Sequence, residues 1–124
     1  MRKILIVDDE PHITMVLKHF LERSKLSVLS ALNGNRASEL ISKHRPEVII
    51  ADVHMPGPNG LDLCEKILQQ MPDYHPLFIL MTSRLDRDSR SWSQQHDSVV
   101  IMEKPLSCWR VLVCLRTYFG NFKF

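Results

Sequence analysis

No apolar run in this chain approaches the ~20 residues needed to span a bilayer. The basic start, Met1-Arg2-Lys3, is followed by only four apolar residues before Asp8, too few for a signal peptide. Cysteine is scarce: Cys64, Cys108 and Cys114 are odd in number and lack metal-ligand spacing. That excludes a disulfide framework; Cys64 and Cys108, set among apolar neighbours, read as small buried hydrophobes in a reducing compartment. Together these absences set the expectation of a soluble cytoplasmic protein. No repeat, linker or low-complexity tract divides the chain, so its 124 residues, 44% hydrophobic, read as one domain over 1–124. Neither sign of charge is in excess. The 16 basic and 14 acidic residues are interleaved and leave a net charge of +2, which argues against a dedicated nucleic-acid binder. The densest basic stretch, Arg84, Arg87 and Arg90, reads as a solvated helix face.

What is present alternates. Lys3 to Val7 is a short apolar run of the kind covered on both faces of a parallel sheet. Asp9 or Glu10 can cap a helix with Pro11 in its first turn, and Ile13, Val16, Leu17, Phe20 and Leu21 follow at helical spacing. Leu26 to Ala31 is a second strand, and Asn33-Gly34-Asn35 punctuates it. Ala37, Leu40 and Ile41 mark a helix ending near His44, before Pro46. Glu47 to Ala51 is the third strand. Leu61, Cys64, Ile67, Leu68 and Met71 form a helix stripe. Pro76 to Met81 and Ser98 to Met102 are the fourth and fifth strands, and a last helix runs from about Ser107 to Phe119. The segment from Arg84 to Asp97 is assigned a helix to connect the last two strands. The pattern predicts an α/β fold, a flavodoxin-like (βα)5 doubly wound parallel sheet in the order 2-1-3-4-5.

Ligands of such sheets bind outside the carboxyl ends of the strands, where the order reverses. Strand one ends in Asp8 and Asp9, strand three in Asp52, strand four in Thr82 and Ser83, and strand five in Glu103 and Lys104. Taken singly these have ordinary readings: helix caps, an Asx turn, a surface hydroxyl, a solvated lysine. Jointly they converge. Three clustered aspartates raise one another's pKa and need compensation, either from a hard divalent cation or from Lys104. The set also suits phosphoryl transfer to a carboxylate nucleophile, which calls for cations and a hydroxyl around the transferred group. None of the remaining histidines, His12, His19, His44, His75 and His96, has ligand spacing.

Four pieces in this order carry a resemblance: "DDE" after strand one, "DVHMPGPNG" after strand three, "TS" after strand four and "KP" after strand five. The chain resembles a response regulator receiver domain, the phosphoacceptor part of a two-component system. The resemblance implies that Asp52 is phosphorylated by a sensor histidine kinase or phosphotransfer protein. It implies that Asp9, Asp52 and the backbone carbonyl of His54 hold Mg²⁺ (or Mn²⁺), with Asp8 assisting through water. Thr82 and Lys104 would contact the phosphoryl group, and the Lys104–Pro105 bond would be cis. Met55 would pack inward, Pro56 would stiffen the loop and Gly60 would permit the turn into the next helix. His54 and Arg84 would tune the phosphoryl lifetime. Such a domain is a signal carrier with self-phosphorylation and self-dephosphorylation chemistry rather than an enzyme, and it binds neither nucleic acid nor membrane directly.

The sequence also departs from the family pattern. Where receivers commonly carry a Tyr or Phe that swings inward, this chain has Ile101, and "QHDSVV" stands where a Gly-Ala pair is usual. The last helix is apolar on more than one face, so Trp109, Leu112, Leu115 and Tyr118 are candidates for contact with an output partner or a second copy. The expected surface is the one formed by the fourth helix, fifth strand and fifth helix. A phosphorylation-independent interaction module is the alternative reading. An aspartyl-nucleophile phosphatase is more remote, since His54 stands where it needs an acid.

Overall fold

The computed structural model describes residues 2–83 and 98–120. Five parallel strands form one sheet in the order β2-β1-β3-β4-β5. They are β1 (Lys3–Val7), β2 (Ser27–Ala31), β3 (Val48–Asp52), β4 (Leu77–Thr82) and β5 (Val99–Glu103). Four helices are described: α1 (Pro11–Glu22), α2 (Gly34–His44), α3 (Gly60–Gln70) and α4 (Cys108–Tyr118). The helix expected between Arg84 and Asp97 lies outside the described residues.

All strands but β2 read as nearly continuous apolar runs, yet each obeys a period of two. Ile4, Ile6, Val48, Ile50, Leu77, Ile79 and Met81 face the layer built by Leu17 and Leu21 of α1 and Val111, Leu112 and Leu115 of α4. Leu5, Val7, Ile49, Ala51, Phe78 and Leu80 face the opposite layer, built by Ala37, Leu40 and Ile41 of α2 and Leu63, Cys64 and Ile67 of α3. Both faces being covered explains why no polar residue interrupts β1, β3 or β4 between their end residues, whereas the edge strand β2 carries an exposed Ser30.

Several local expectations shift. Asp52, Thr82 and Glu103 do end their strands, each one residue past the expected apolar run, held by pairings such as Asp52 with Met81 and Thr82 with Glu103. In α1, Val16 points outward at 62% exposure, and Thr14 takes the inner place, its hydroxyl donating to the Glu10 carbonyl at 3.4 Å. In α3, Leu68 is exposed and Leu63 is buried. Leu112 and Leu115, expected at a partner surface, are core residues at 3% and 0% exposure. Helix α4 packs against both the sheet and α1, so it needs a broader apolar stripe than a helix lying on a sheet alone. Trp109 and Tyr118 do stand exposed, with Arg116 over the Trp109 ring at 5.6 Å.

Candidate functional site

Strand ends carry the site, and the register of the sheet aligns them. The chain leaves β1 at Asp8, whose backbone N–H donates to the Ala31 carbonyl. The Asp8 carboxylate is fully buried. Its Oδ1 accepts from the Glu10 N–H at 2.9 Å, an Asx turn that starts α1 where Glu10 itself makes no side-chain cap. On the neighbouring strand β3, Asp52 is 3% exposed, and its Oδ1 accepts from the His54 N–H at 2.8 Å.

Lys104 joins them. Its backbone N–H donates to the Thr82 carbonyl at 2.7 Å, which fixes the chain beyond β5 beside the end of β4. The Lys104–Pro105 bond is cis, as the resemblance implies. The Lys104 ammonium donates to Asp52 Oδ2 at 2.8 Å and to Asp8 Oδ2 at 3.2 Å, and stands 4.0 Å from Glu10. Burial drives the Asp8 carboxyl above its ordinary range; the Glu10 N–H and the ammonium oppose that without cancelling it. Burial pulls the ammonium of Lys104 down, but its hydrogen bonds to Asp52 and Asp8 outweigh this and leave it raised.

Asp8, Asp9 and Glu10 bring a carboxylate oxygen each within 4.8 Å of one another. Asp9 and Glu10 are exposed, and with Asp52, His54, Ser83 and Lys104 they line an open cavity of about 190 Å³. Such a lining of hard oxygen donors is of the type that holds Mg²⁺ rather than a soft transition metal. Lys104 offsets part of the negative charge, so the pocket remains acidic. Glu10 was missed by sequence reasoning, although its place directly after two aspartates was the available signal.

Thr82 is fully buried, and its hydroxyl lies 2.8 Å from Nε2 of His54. That contact joins the ends of two strands and was not legible from sequence. Ile101 is half-buried against the α2–α3 layer. Arg84 and His96 lie outside the described residues. His12, His19 and His75 are exposed and His44 is half-buried.

The loop from Asp52 to Gly60 is held in place by contacts partly different from those expected. Met55 is buried at 6% exposure. The left-handed residue is Gly57, at φ 71°, not Gly60. Gly60 is needed for space: a Cβ there would stand 3.1 Å from the Ala51 and Asp52 carbonyl oxygens and from a Leu80 methyl. Asn59 then caps α3 reciprocally with Asp62, a capping box that closes the loop.

Fold and site together define a receiver, and the family comparison agrees: the family described as response regulator receiver domain matches residues 4–114. The chain belongs to that family, as a receiver domain of two-component response regulators. It is 37% identical over 81 residues to protein-glutamate methylesterase/protein-glutamine glutaminase 3 of Hahella chejuensis, covering 64% of this chain and 23% of that protein. It is 38% identical over 69 residues to the alkaline phosphatase synthesis transcriptional regulatory protein PhoP of Bacillus subtilis, covering 56% of this chain and 29% of that one. The match thus spans less than a third of either curated relative. Among solved structures, the Vibrio cholerae chemotaxis protein CheY4 superposes with a TM-score of 0.85 at 25% identity, over 94% of this chain and 98% of that one. A CheY-like receiver domain protein from Methanospirillum hungatei gives a TM-score of 0.87 at 21% identity, over 98% and 95%, a likeness of fold. Among the described residues no helix is long and apolar enough to cross a membrane.

Proposed function

We propose that Asp52 is the phosphoacceptor of a cytoplasmic two-component pathway, charged by a histidine kinase or phosphotransfer protein. The observation that carries this is the ammonium of Lys104 bridging Asp52 and Asp8. A buried carboxylate held beside a cation and a buried hydroxyl is poised to become an acyl phosphate. In the transfer, a carboxylate oxygen of Asp52 bonds to phosphorus as the bond from phosphorus to the donor's imidazole nitrogen breaks.

Asp8, Asp9, Asp52 and the His54 carbonyl would hold Mg²⁺, with Glu10 at the rim. The bound ion supplies neutralisation of the phosphoryl oxygens. Lys104 stands where charge grows on Asp52. Thr82 would donate to a phosphoryl oxygen, and His54, joined to its hydroxyl, would tune how long the phosphoryl group persists; Arg84 is assigned the same role. The domain carries a signal rather than turning over an external substrate. Lys104 also walls an apolar cleft of about 470 Å³ with Ile13 and Val16 of α1 and Leu106, a foothold for a partner reaching Asp52. Exposed Trp109 and Tyr118 remain the candidates for output contact or self-association.

The test is intact mass after incubation with acetyl phosphate, with and without Mg²⁺, on wild type and Asp52→Ala. A Mg²⁺-dependent phosphoryl adduct absent from Asp52→Ala is expected. A folded wild type that takes no adduct would return the chain to the phosphorylation-independent reading.

A further inference from the structure

The Asn33-Gly34 pair read as simple punctuation in the sequence, but the fold gives it a neighbour. Gly34 opens α2, and a Cβ built on it would lie 2.4 Å from the Pro58 carbonyl oxygen, 2.6 Å from its Cβ and 3.0 Å from its carbonyl carbon. Two of those three atoms are backbone, so no rotamer change relieves the contact. Helix propensity favours alanine over glycine at a helical position, so glycine here runs against local preference.

Neither side of the contact can easily give way. The first turn of α2 is fixed by the Asn33 side chain, which accepts from the Arg36 N–H at 2.8 Å, and by burial of Ala37, Leu40 and Ile41. Across from it, Pro58 belongs to the loop that follows Asp52. That loop is anchored at His54 by its N–H to Asp52, at Met55 by burial and at Gly60 by close approach to β3. Between these anchors its outer side leans on Gly34.

We infer that Gly34 is a positioning residue for the phosphoacceptor loop: its bare backbone is the seat that sets where residues 53–59, and so the His54 peptide beside Asp52, come to lie. This rests on the reading of Asp52 as a metal-dependent phosphoacceptor. A methyl at 34 displaces the Pro58 peptide, and the displacement passes back through Gly57, Pro56 and Met55 to His54, which faces the acidic cavity.

The experiment compares wild type, Gly34→Ala and the double variant Gly34→Ala with Pro58→Gly. Mg²⁺ affinity is measured by calorimetric titration, and hydrogen exchange of the His54 amide by NMR without metal. Gly34→Ala is expected to weaken Mg²⁺ binding about tenfold, the size seen when a group supporting a metal ligand is lost, and to speed exchange at His54. The double variant lacks the Pro58 Cβ and has a peptide free to turn, so it is expected to recover both properties. Unchanged affinity and exchange in Gly34→Ala overturn the inference. So does a loss of both that Pro58→Gly fails to repair, or a double variant that does not fold. A folded wild type that binds no Mg²⁺ overturns the underlying reading instead, and the His54 amide then still decides whether Gly34 seats the loop.

Discussion

Replacing Lys104 with methionine keeps the length and much of the apolar stem while deleting the charge. The Lys104 side chain is 16% exposed, and its ammonium sits 2.8 Å from Asp52 and 3.2 Å from Asp8. At an effective dielectric constant of ~20 these separations correspond to gross attractions of about 6 and 5 kcal/mol. Desolvation of all three charges cancels much of that. Removing one member of such a cluster nevertheless leaves buried carboxylates facing each other, which costs about 3–5 kcal/mol. The lower end applies here, because the variant can take up a proton. For a chain of this size about 3 kcal/mol lowers Tm by roughly 10 °C.

The pH dependence gives a sharper test. Burial raises Asp8 above 3.8, and Lys104 partly opposes this. Charged Asp8 therefore weakens folding above its folded pKa and ceases to do so below 3.8. Losing the ammonium raises that carboxyl further. The deficit of Lys104→Met is thus absent at low pH, opens as pH rises above 3.8 and is complete above the folded pKa of the carboxyl. The folded pKa of Lys104 lies above 10.5, so once its partner carboxylates are ionised its stabilising contribution stays intact up to 10.5 and disappears as pH climbs through the folded value. Urea denaturation across pH 4 to 8 without divalent cation measures this directly. Equal stability of Lys104→Met and wild type at pH 8, or a deficit larger at pH 4 than at pH 8, would refute the electrostatic account of the site.

Asp8→Asn should raise Tm at pH 8 without Mg²⁺, and the gain should fade toward pH 4 as the wild-type carboxyl takes its proton; scanning calorimetry at the two pH values checks it. Leu112→Ala should cost about 2–5 kcal/mol as a core cavity. Trp109→Ala should cost only about 0.5–1 kcal/mol for its exposed contact with Arg116, and paired urea titrations separate the two. The Tyr74 hydroxyl donates to the buried Pro46 carbonyl, so Tyr74→Phe should cost about 1–3 kcal/mol in guanidinium unfolding.

Much of the fold was legible because strand ends and helix starts are written in local chemistry. The apolar runs at β1, β3 and β4 sit where expected to within a residue, and the strand order followed from alternation and handedness. Asp8, Asp52, Thr82 and Lys104 were found because a parallel sheet gathers its strand ends at one edge. Periodicity failed where neighbours decide. Leu112 and Leu115 looked like surplus because nothing in the sequence says that α1 lies beside the last helix. Val16 and Thr14 exchanged roles because Thr14 can spend its hydroxyl on the preceding turn. The Gly34–Pro58 contact and the His54–Thr82 bond join residues 24 and 28 positions apart, and local pattern holds no record of such pairs.

The Lys104 bridge also bears on how the domain comes into being. Its ammonium reaches carboxylates 96 and 52 positions earlier in the chain. During synthesis from the N-terminus, β1 and β3 emerge with their acidic ends before the counter-charge exists. Until residue 104 clears the ribosome, the nascent sheet edge bears unneutralised carboxylates, and free divalent cation is the natural stand-in. Co-translational folding of this domain should therefore be more sensitive to Mg²⁺ than refolding of the finished chain.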